Sequence, residues 1–294
     1  MADPQPWTAR RLIEWTTEHF ATNGIESARL DAELLLGHAL RRDRMWLYLN
    51  FDEPVAPDML AIYRQLVKKR ADRIPVAYLT GAREFYALPF RVTPDVLIPR
   101  PDTEDLVKAA LSRFVAPTDG SPLRIADVGT GSGAIAISLA KEWAPKPIEL
   151  TAIDISRDAL NVAQENAAEL EVEDAITFCE GDLLDAVEPG TTFHAVVSNP
   201  PYIPSAELDS LQPEVAKHEP RLALDGGADG FDVVRRLVAQ AGGFVEAGGL
   251  FALEVGAGQA ATVAGLIGDT GEFRPCEIVR DLADVERVVL AVRS

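Results

Sequence analysis

The chain has little cysteine, little histidine and a shortage of positive charge. Its 294 residues hold two cysteines, Cys179 and Cys276, and four histidines. Two cysteines so far apart offer neither the paired spacing of a structural zinc site nor a disulfide framework. No metal site is expected, and both thiols are expected to be buried in a reducing compartment. His19, His38, His194 and His218 are scattered. Each reads as a surface or core residue rather than a proton-transfer group. Lysine and arginine total 28 against 46 acidic residues, a net charge of −18. So acidic a chain repels phosphate backbones, and no local basic patch offsets it, so stable nucleic-acid binding is not expected. No apolar run approaches the roughly 18 residues of a membrane helix. The opening "MADPQPWTARR" lacks the apolar centre of a signal peptide. The expectation is a soluble cytoplasmic protein. What the chain does have is a normal globular composition, 47% hydrophobic, and a length that suits two domains.

The first 74 residues read as helices. "TARRLIEWTTEHFATNG" places Leu12, Ile13, Trp15 and Phe20 near one face and stops at Gly24. "SARLDAELLLGHAL" starts on Ser27 as a candidate N-cap and aligns Leu30, Leu34, Leu35 and Ala39. A third pattern carries Met59, Ile62, Tyr63, Leu66 and Val67 at helical spacing. A small helical bundle over residues 1–74 is the simplest architecture. Residues 75–101 change texture, with Gly81 and prolines at 89, 94, 99 and 101, and suggest a hairpin linker. From 102 to 294, helical periods alternate with strands near 123–128, 148–153, 176–179, 195–198, 249–255, 276–280 and 287–292. Such alternation means βαβ units and a mostly parallel sheet. "DLADVE" between the last two strands is too short for a crossover, so the last strand should run antiparallel.

"LRIADVGTGSGAIAISLA" is the most legible motif. A strand runs into Gly129, Thr130, Gly131, Ser132 and Gly133, and a helix follows at once. Glycines permit the tight turn and close approach to a ligand, and the helix start offers unpaired N–H groups. Asp154 lies 25 residues past Gly129, at the end of the next strand. A carboxylate there suits the ribose hydroxyls of an adenosine. The competing reading is an ordinary turn with Asp154 capping the next helix. Gly129, Gly131 and Ala134 also fit the relaxed dinucleotide pattern, so a nicotinamide-dependent oxidoreductase has to be weighed. At the third strand end, Asp182 and Leu183 could border an adenine ring. As a turn residue, Asp182 would be equally ordinary.

The fourth strand ends in "AVVSNPPYIP". Pro200 and Pro201 lack N–H groups and have fixed φ. The Asn199 side-chain oxygen and the Pro200 carbonyl can therefore accept two hydrogen bonds from one NH₂ group, while Tyr202 walls a planar substrate. Two acceptors on an amide nitrogen raise its electron density, favour a pyramidal nitrogen and fix its lone pair on an electrophile. The bland alternative is a Pro-Pro strand terminator with a core tyrosine.

Together, "NPPY" and "DVGTGSGAIAISLA" resemble class I S-adenosylmethionine-dependent methyltransferases acting on planar nitrogens. "IPRPDTEDLV", "HEPRLALDGGADGFDVVRRL" and "RDLADVERVVLA" narrow the resemblance to the release-factor glutamine methyltransferases, the PrmC/HemK family. It runs from about Pro75 to Val292. It implies an α/β Rossmann-like fold with a seven-stranded sheet and an N-terminal bundle that recognises the release factor. The implied reaction moves a methyl group from S-adenosylmethionine to the side-chain N5 of the glutamine in the Gly-Gly-Gln motif of class 1 peptide chain release factors, leaving S-adenosylhomocysteine. By position it assigns Gly129, Thr130, Gly131, Ser132, Gly133, Asp154, Asp182, Leu183 and Asn199 to the cofactor. Asn199, Pro200, Pro201 and Tyr202 go to the glutamine amide, with Asn199, Pro200 and Tyr202 as the catalytic set. Arg100 lines the same cleft or pairs with a neighbouring acid among Asp102, Glu104 and Asp105. Ser132 stands where threonine is common in the family and Leu183 where an aromatic residue can occur. "NPPY" alone also serves amino-group methyltransferases acting on adenine or cytosine in DNA or RNA, and a non-catalytic adaptor is a further alternative.

Overall fold

A computed structural model describes residues 6–294. The chain divides into two compact units. One is the stretch ending at Gly81 together with Gln212–His218, and the other is Ala82–Leu211 with Glu219–Ser294.

The first unit is helical: α1 (Ala9–Thr22), α2 (Ala28–Leu40), α3 (Arg44–Leu49), α4 (Pro57–Ala71), α5 (Val76–Thr80), and α9 (Pro213–His218) from later in the chain. Thr8 caps α1 by accepting from the Arg11 amide, and Asp43 caps α3 by accepting from Trp46. Leu12, Ile13, Phe20, Leu35, Leu36 and Tyr63 form its core. The expected stripes are partly displaced. Trp15, Leu30, Leu34 and Ile62 are exposed, while Thr16, Ala32 and Leu36 take the inward places. Trp15 instead stacks on His19 at 5.1 Å. Ser27 sits at the N-cap position of α2, but its hydroxyl donates to Asp31 rather than capping the helix. Its carboxylate partner is itself buried by Arg70, whose Nε donates to Asp31 at 2.7 Å and whose Nη2 meets Glu214 of α9 at 2.7 Å. Neither α3, α5 nor α9 is evident from apolar periodicity, because each is barely longer than one turn.

The second unit opens with the hairpin β1 (Ala82–Phe85) and β2 (Leu88–Arg91), turned by Tyr86 and Ala87 at φ 52° and 57°. Then follow α6 (Thr103–Leu111), β3 (Leu123–Val128), α7 (Ala134–Trp143), β4 (Ile148–Asp154), α8 (Arg157–Glu169), β5 (Ile176–Glu180) and β6 (Phe193–Ser198). After α9 come α10 (Asp232–Phe244), β7 (Val245–Glu254), α11 (Ala260–Asp269), β8 (Glu277–Arg280) and β9 (Glu286–Val292). The seven-stranded sheet has the order β5-β4-β3-β6-β7-β9-β8. β9 is antiparallel to both neighbours, as the short connection requires, and the other paired strands run parallel. The strand order reverses at β3, where β4 lies on one side and β6 on the other. Ligands of such sheets sit beyond the carboxyl ends at this switch. Register brings Val128, Ile153 and Ser198 level, so the residues that follow them open on one edge. Two apolar layers cover the two faces of the sheet, one with Leu106, Ile137 and Leu139 and the other with Leu237, Val238 and Val263. Cys179 and Cys276 are only half-buried, short of the expected burial: Cys179 lies on the outer strand β5 and Cys276 just before the outer strand β8. Among the described residues no helix is long and apolar enough to cross a membrane.

Removing one member of a buried ion pair strands the other charge. Arg70→Ala should therefore destabilise the helical unit by about 3–5 kcal/mol. Urea unfolding followed by tryptophan fluorescence measures this selectively, because Trp7, Trp15 and Trp46 all lie in that unit and Trp143 does not.

Candidate active site

The turn after β3 is built by its glycines. Gly129, Gly131 and Gly133 have φ of 73°, 56° and 81°, a region that other residues enter at a cost. The Gly129 and Thr130 amides donate to the Ile153 carbonyl at 2.8 and 2.9 Å, which hangs the turn on β4. A side chain at Gly133 would stand 2.8 Å from Ile137 Cδ1 and 3.2 Å from Ala163 Cβ, so the third glycine serves helix packing. At Gly131 nothing lies within 4 Å of that position. Behind the turn, Asp127 is fully buried. Its Oδ2 accepts from Thr130 Oγ1 at 2.7 Å and from the Ala136 amide at 3.1 Å, in the first turn of α7. Burial pushes its carboxyl up to about 7, against the pull of those two donors. The sequence reading missed Asp127. The available signal was a charged residue inside the apolar run "LRIADV". Asn166 was missed as well. Its Nδ2 donates to the Ser132 carbonyl at 2.8 Å, which pins the turn from α8.

Asp154 stands where expected, at the end of β4. Its Oδ2 accepts from the Gly131 amide and its Oδ1 from the Ser156 amide, both at 2.9 Å. Burial raises its pKa while these amides pull it down. Gly129, Gly131, Asp154, Asp182, Leu183 and Asn199 line a common cavity of about 230 Å³. Asp182 also binds Arg236 at 2.6 Å, and Leu183 is left-handed at φ 55°. Thr130, Ser132 and Gly133 support that cavity from behind and do not line it.

A second, smaller cavity of about 40 Å³ takes in Leu97, Arg100, Asn199, Tyr202, Ile203 and Leu224. Asn199, Leu97 and Ala223 line both cavities. The Asn199 side-chain nitrogen donates to Thr103 Oγ1 at 3.1 Å. Gln259 Nε2 donates to the Tyr202 carbonyl at 2.9 Å, and the Tyr202 ring lies close to Gly256. Burial pushes the Tyr202 phenol up to about 12, so it stays neutral at physiological pH. Arg100 both lines this cavity and pairs with an acid, but the acid is Glu219 at 2.5 Å, not one of its sequence neighbours. Glu219 is buried and also accepts from the Ile98 amide at 3.2 Å. "IPRP" and "HEPR" are therefore tied to each other across more than a hundred residues of sequence. The segment after "HEPR" folds back on the chain that follows Tyr202. Ile203 and Gly226 exchange amide bonds with Leu224 and Ile203 carbonyls at 3.0 and 2.8 Å, and Ser205 donates to Asp225 at 2.5 Å.

Comparison with known proteins gives concordant results. Residues 11–81 match the family model described as PrmC N-terminal domain, and residues 109–227 match that of a methyltransferase small domain. A release factor glutamine methyltransferase from Geobacter sulfurreducens is 44% identical over 97% of this chain and 97% of its own. One of the same name from Rhodopirellula baltica is 41% identical over 97% and 96%. One from Bacillus anthracis is 36% identical over 95% and 97%. Among solved structures, the hMettl16 catalytic domain in complex with an RNA hairpin aligns with a TM-score of 0.55 at 14% identity, covering 74% of this chain and 79% of that one. The Thermus thermophilus 16S rRNA N2 G1207 methyltransferase, in complex with AdoMet and guanosine, aligns at 0.51 and 18%, covering 72% and 50%. These two likenesses establish the class I methyltransferase fold.

The raised Asp127 carboxyl has a consequence for stability. Its folded pKa of about 7 exceeds the ordinary unfolded value of about 4, so the folded state binds the proton more tightly. This group's contribution to stability is present at acid pH and is lost as pH rises from about 4 through 7. Asp127→Asn removes that dependence. Relative to the unsubstituted protein, it should gain on the order of 1–2 kcal/mol between pH 5.5 and pH 8, read from denaturant unfolding at the two pH values.

Proposed function

This chain belongs to the release factor glutamine methyltransferases, and we propose that it methylates the side-chain amide nitrogen of the glutamine in the Gly-Gly-Gln motif of class 1 peptide chain release factors, with S-adenosylmethionine as donor and S-adenosylhomocysteine as product. The observation that carries this reading is the place of Asn199 at the junction of two cavities, its amide nitrogen drawn back to Thr103.

The larger cavity fits the donor. Gly131 leaves room for close approach. Asp154 uses one oxygen for each loop amide, and each oxygen retains a lone pair for a ribose hydroxyl. Gly129 to Gly133 hold the methionine end, with Thr130, Ser132 and Gly133 shaping the turn, while Asp182 and Leu183 border the adenine. Bound there, S-adenosylmethionine supplies a methyl carbon made electrophilic by its sulfonium. The chain's own part is to prepare the nucleophile. Asn199 Oδ1 and the Pro200 carbonyl accept the two N–H groups of the substrate amide. This draws density onto nitrogen and aims its lone pair at the methyl carbon. Tyr202, neutral and held by Gln259, walls the amide plane, and Pro201 keeps that backbone rigid. On methylation one of the two N–H protons held by Asn199 Oδ1 and the Pro200 carbonyl would be lost to water, leaving a secondary amide. Arg100, fixed by Glu219, borders the entrance of the small cavity.

The N-terminal helical unit, expected from sequence over residues 1–74 but running to Gly81 and taking in Gln212–His218, is proposed to recognise the release factor. A substrate drawn from translation implies the cytoplasm. The −18 charge disfavours a base in DNA or RNA as the alternative acceptor.

Purified chain, S-adenosylmethionine and a release factor should yield a singly methylated Gly-Gly-Gln peptide by mass spectrometry. Asn199→Ala should lower that turnover by about 10²–10³-fold and weaken S-adenosylmethionine binding far less, since Asn199 is one of many residues lining the donor cavity. Methyl label entering RNA or DNA and not the release factor would reverse the assignment of substrate.

A further inference from the structure

Glu254 ends β7. In the β6–β7 register Ser198 pairs with Leu253, so Glu254 and Asn199 are the next residues along adjacent parallel strands. Glu254 is 3% exposed, and its Oε2 has no hydrogen-bond partner among the described residues. Burial pushes its carboxyl up to about 7, while the Thr103 hydroxyl and the Asn199 amide nearby favour the charged form. A buried polar atom without a partner is costly and is kept where something uses it. Arg287 of β9 faces Glu254, but its guanidinium is already held by Asp102 and Asp281, each at 2.9 Å. Asp102, at the start of α6, and the neutral Tyr202 also act on it.

The problem Glu254 addresses is the orientation of an amide. Rotated by half a turn, Asn199 would present NH₂ in place of oxygen to a substrate that is itself NH₂, setting donor against donor. Thr103 cannot exclude this rotation. Its hydroxyl accepts from Nδ2 in one orientation and donates to Oδ1 in the other. A carboxylate only accepts. Beside Thr103 it leaves one arrangement with every hydrogen bond made.

We propose that Glu254 is a positioning residue for Asn199: its carboxylate and Thr103 Oγ1 together take the two Nδ2 hydrogens, which turns Oδ1 toward the substrate nitrogen and strengthens it as an acceptor. This role rests on the glutamine-methylating reading above. Protonated Glu254 can donate, and then no longer excludes the rotated amide.

The test has two arms. In the first, kcat for release-factor methylation is followed from pH 5.5 to 8.5. Unsubstituted protein should lose activity toward acid, approaching tenfold per pH unit below about pH 7. Glu254→Gln, which can donate as a protonated acid does, should lower kcat at pH 8 by about 10²-fold, leave the affinity for S-adenosylmethionine unchanged and remove the acid limb. Asp127→Asn, altering the other carboxyl raised to about 7, should keep that limb. In the second arm, the chain labelled with ¹⁵N at its five asparagines is titrated without substrate. The side-chain NH₂ signals of Asn199, identified by their loss in Asn199→Ala, should shift with a midpoint near 7. A Glu254→Gln enzyme with normal kcat, or with the acid limb intact, overturns the proposal. So does an Asn199 signal that does not move between pH 6 and 8, and this arm decides alone if Glu254→Gln fails to fold. Failure of the unsubstituted protein to methylate release factor would count against the function and leave the titration to judge Glu254.

Discussion

The proposed reaction depends on a single side-chain amide presenting its oxygen to the acceptor cavity. Asn199 has almost the same shape either way round, so shape cannot select the orientation. Hydrogen-bond partners on the far side must do it. That requirement reaches outward from the cleft. Thr103 has to come from the start of α6, which places the "PDTE" turn against the end of β6. Glu254 has to come from the end of β7, which fixes the register of that strand. Arg100 and Ile98 have to be held by Glu219, which fixes the segment between β6 and α10. The parallel sheet is the device that makes this possible. Only parallel strands deliver several carboxyl ends to one edge, each from a different part of the chain.

The glycine turn shows the same economy on the cofactor side. Its three left-handed residues do three separate jobs. Gly129 and its neighbour hang on Ile153, Gly131 stays open and meets Asp154 through its amide, and Gly133 admits α8 close to α7. Asp154 therefore braces the turn with the carboxylate proposed for ribose. A loop already braced by that carboxylate loses little conformational entropy when a ligand joins it. Asp127 and Asn166 anchor the turn from beneath.

How far this was legible from sequence varies with the range of the interaction. The strands, the antiparallel last strand, the glycine turn, Asp154 and "NPPY" are local patterns. Their places in the fold match the sequence reading because each is set by neighbours a few residues away. The partners were not legible. Nothing in "IPRPDTE" says that Arg100 prefers Glu219 to Asp102, because that choice is made by the fold across a long stretch of chain. Glu254 inside "LFALEVG" and Asp127 inside "LRIADV" both break an apolar strand with a charge. That break is a usable signal, since a buried carboxyl needs a reason. The helical unit misled in a different way. Leu30 and Leu34 lie one position away from the inward face of α2, where Asp31 is held by Arg70. A buried ion pair overrides an apolar stripe when its partner is supplied by another helix.

The two buried carboxyls make an instructive contrast. Asp127 and Glu254 lie on strands to either side of β6, and both are pushed up to about 7. Asp127 has two donors on one oxygen and sits at a helix N-terminus, which favours its charge. It behaves as a support for the turn. Glu254 likewise keeps one oxygen with no partner among the described residues, as Asp127 does, and it has the start of α6 at Thr103 beside it; what sets it apart is its place next to Asn199 at the strand ends. A purely structural role would be served better by glutamine or by an apolar residue of similar size, since neither carries a desolvation cost that grows with pH. A group that serves only as acceptor is useful here for the one thing glutamine cannot do, which is to refuse a hydrogen bond from the wrong side of Asn199. The destabilising charge and the orientation of the amide are then two aspects of one choice at the carboxyl edge of β7.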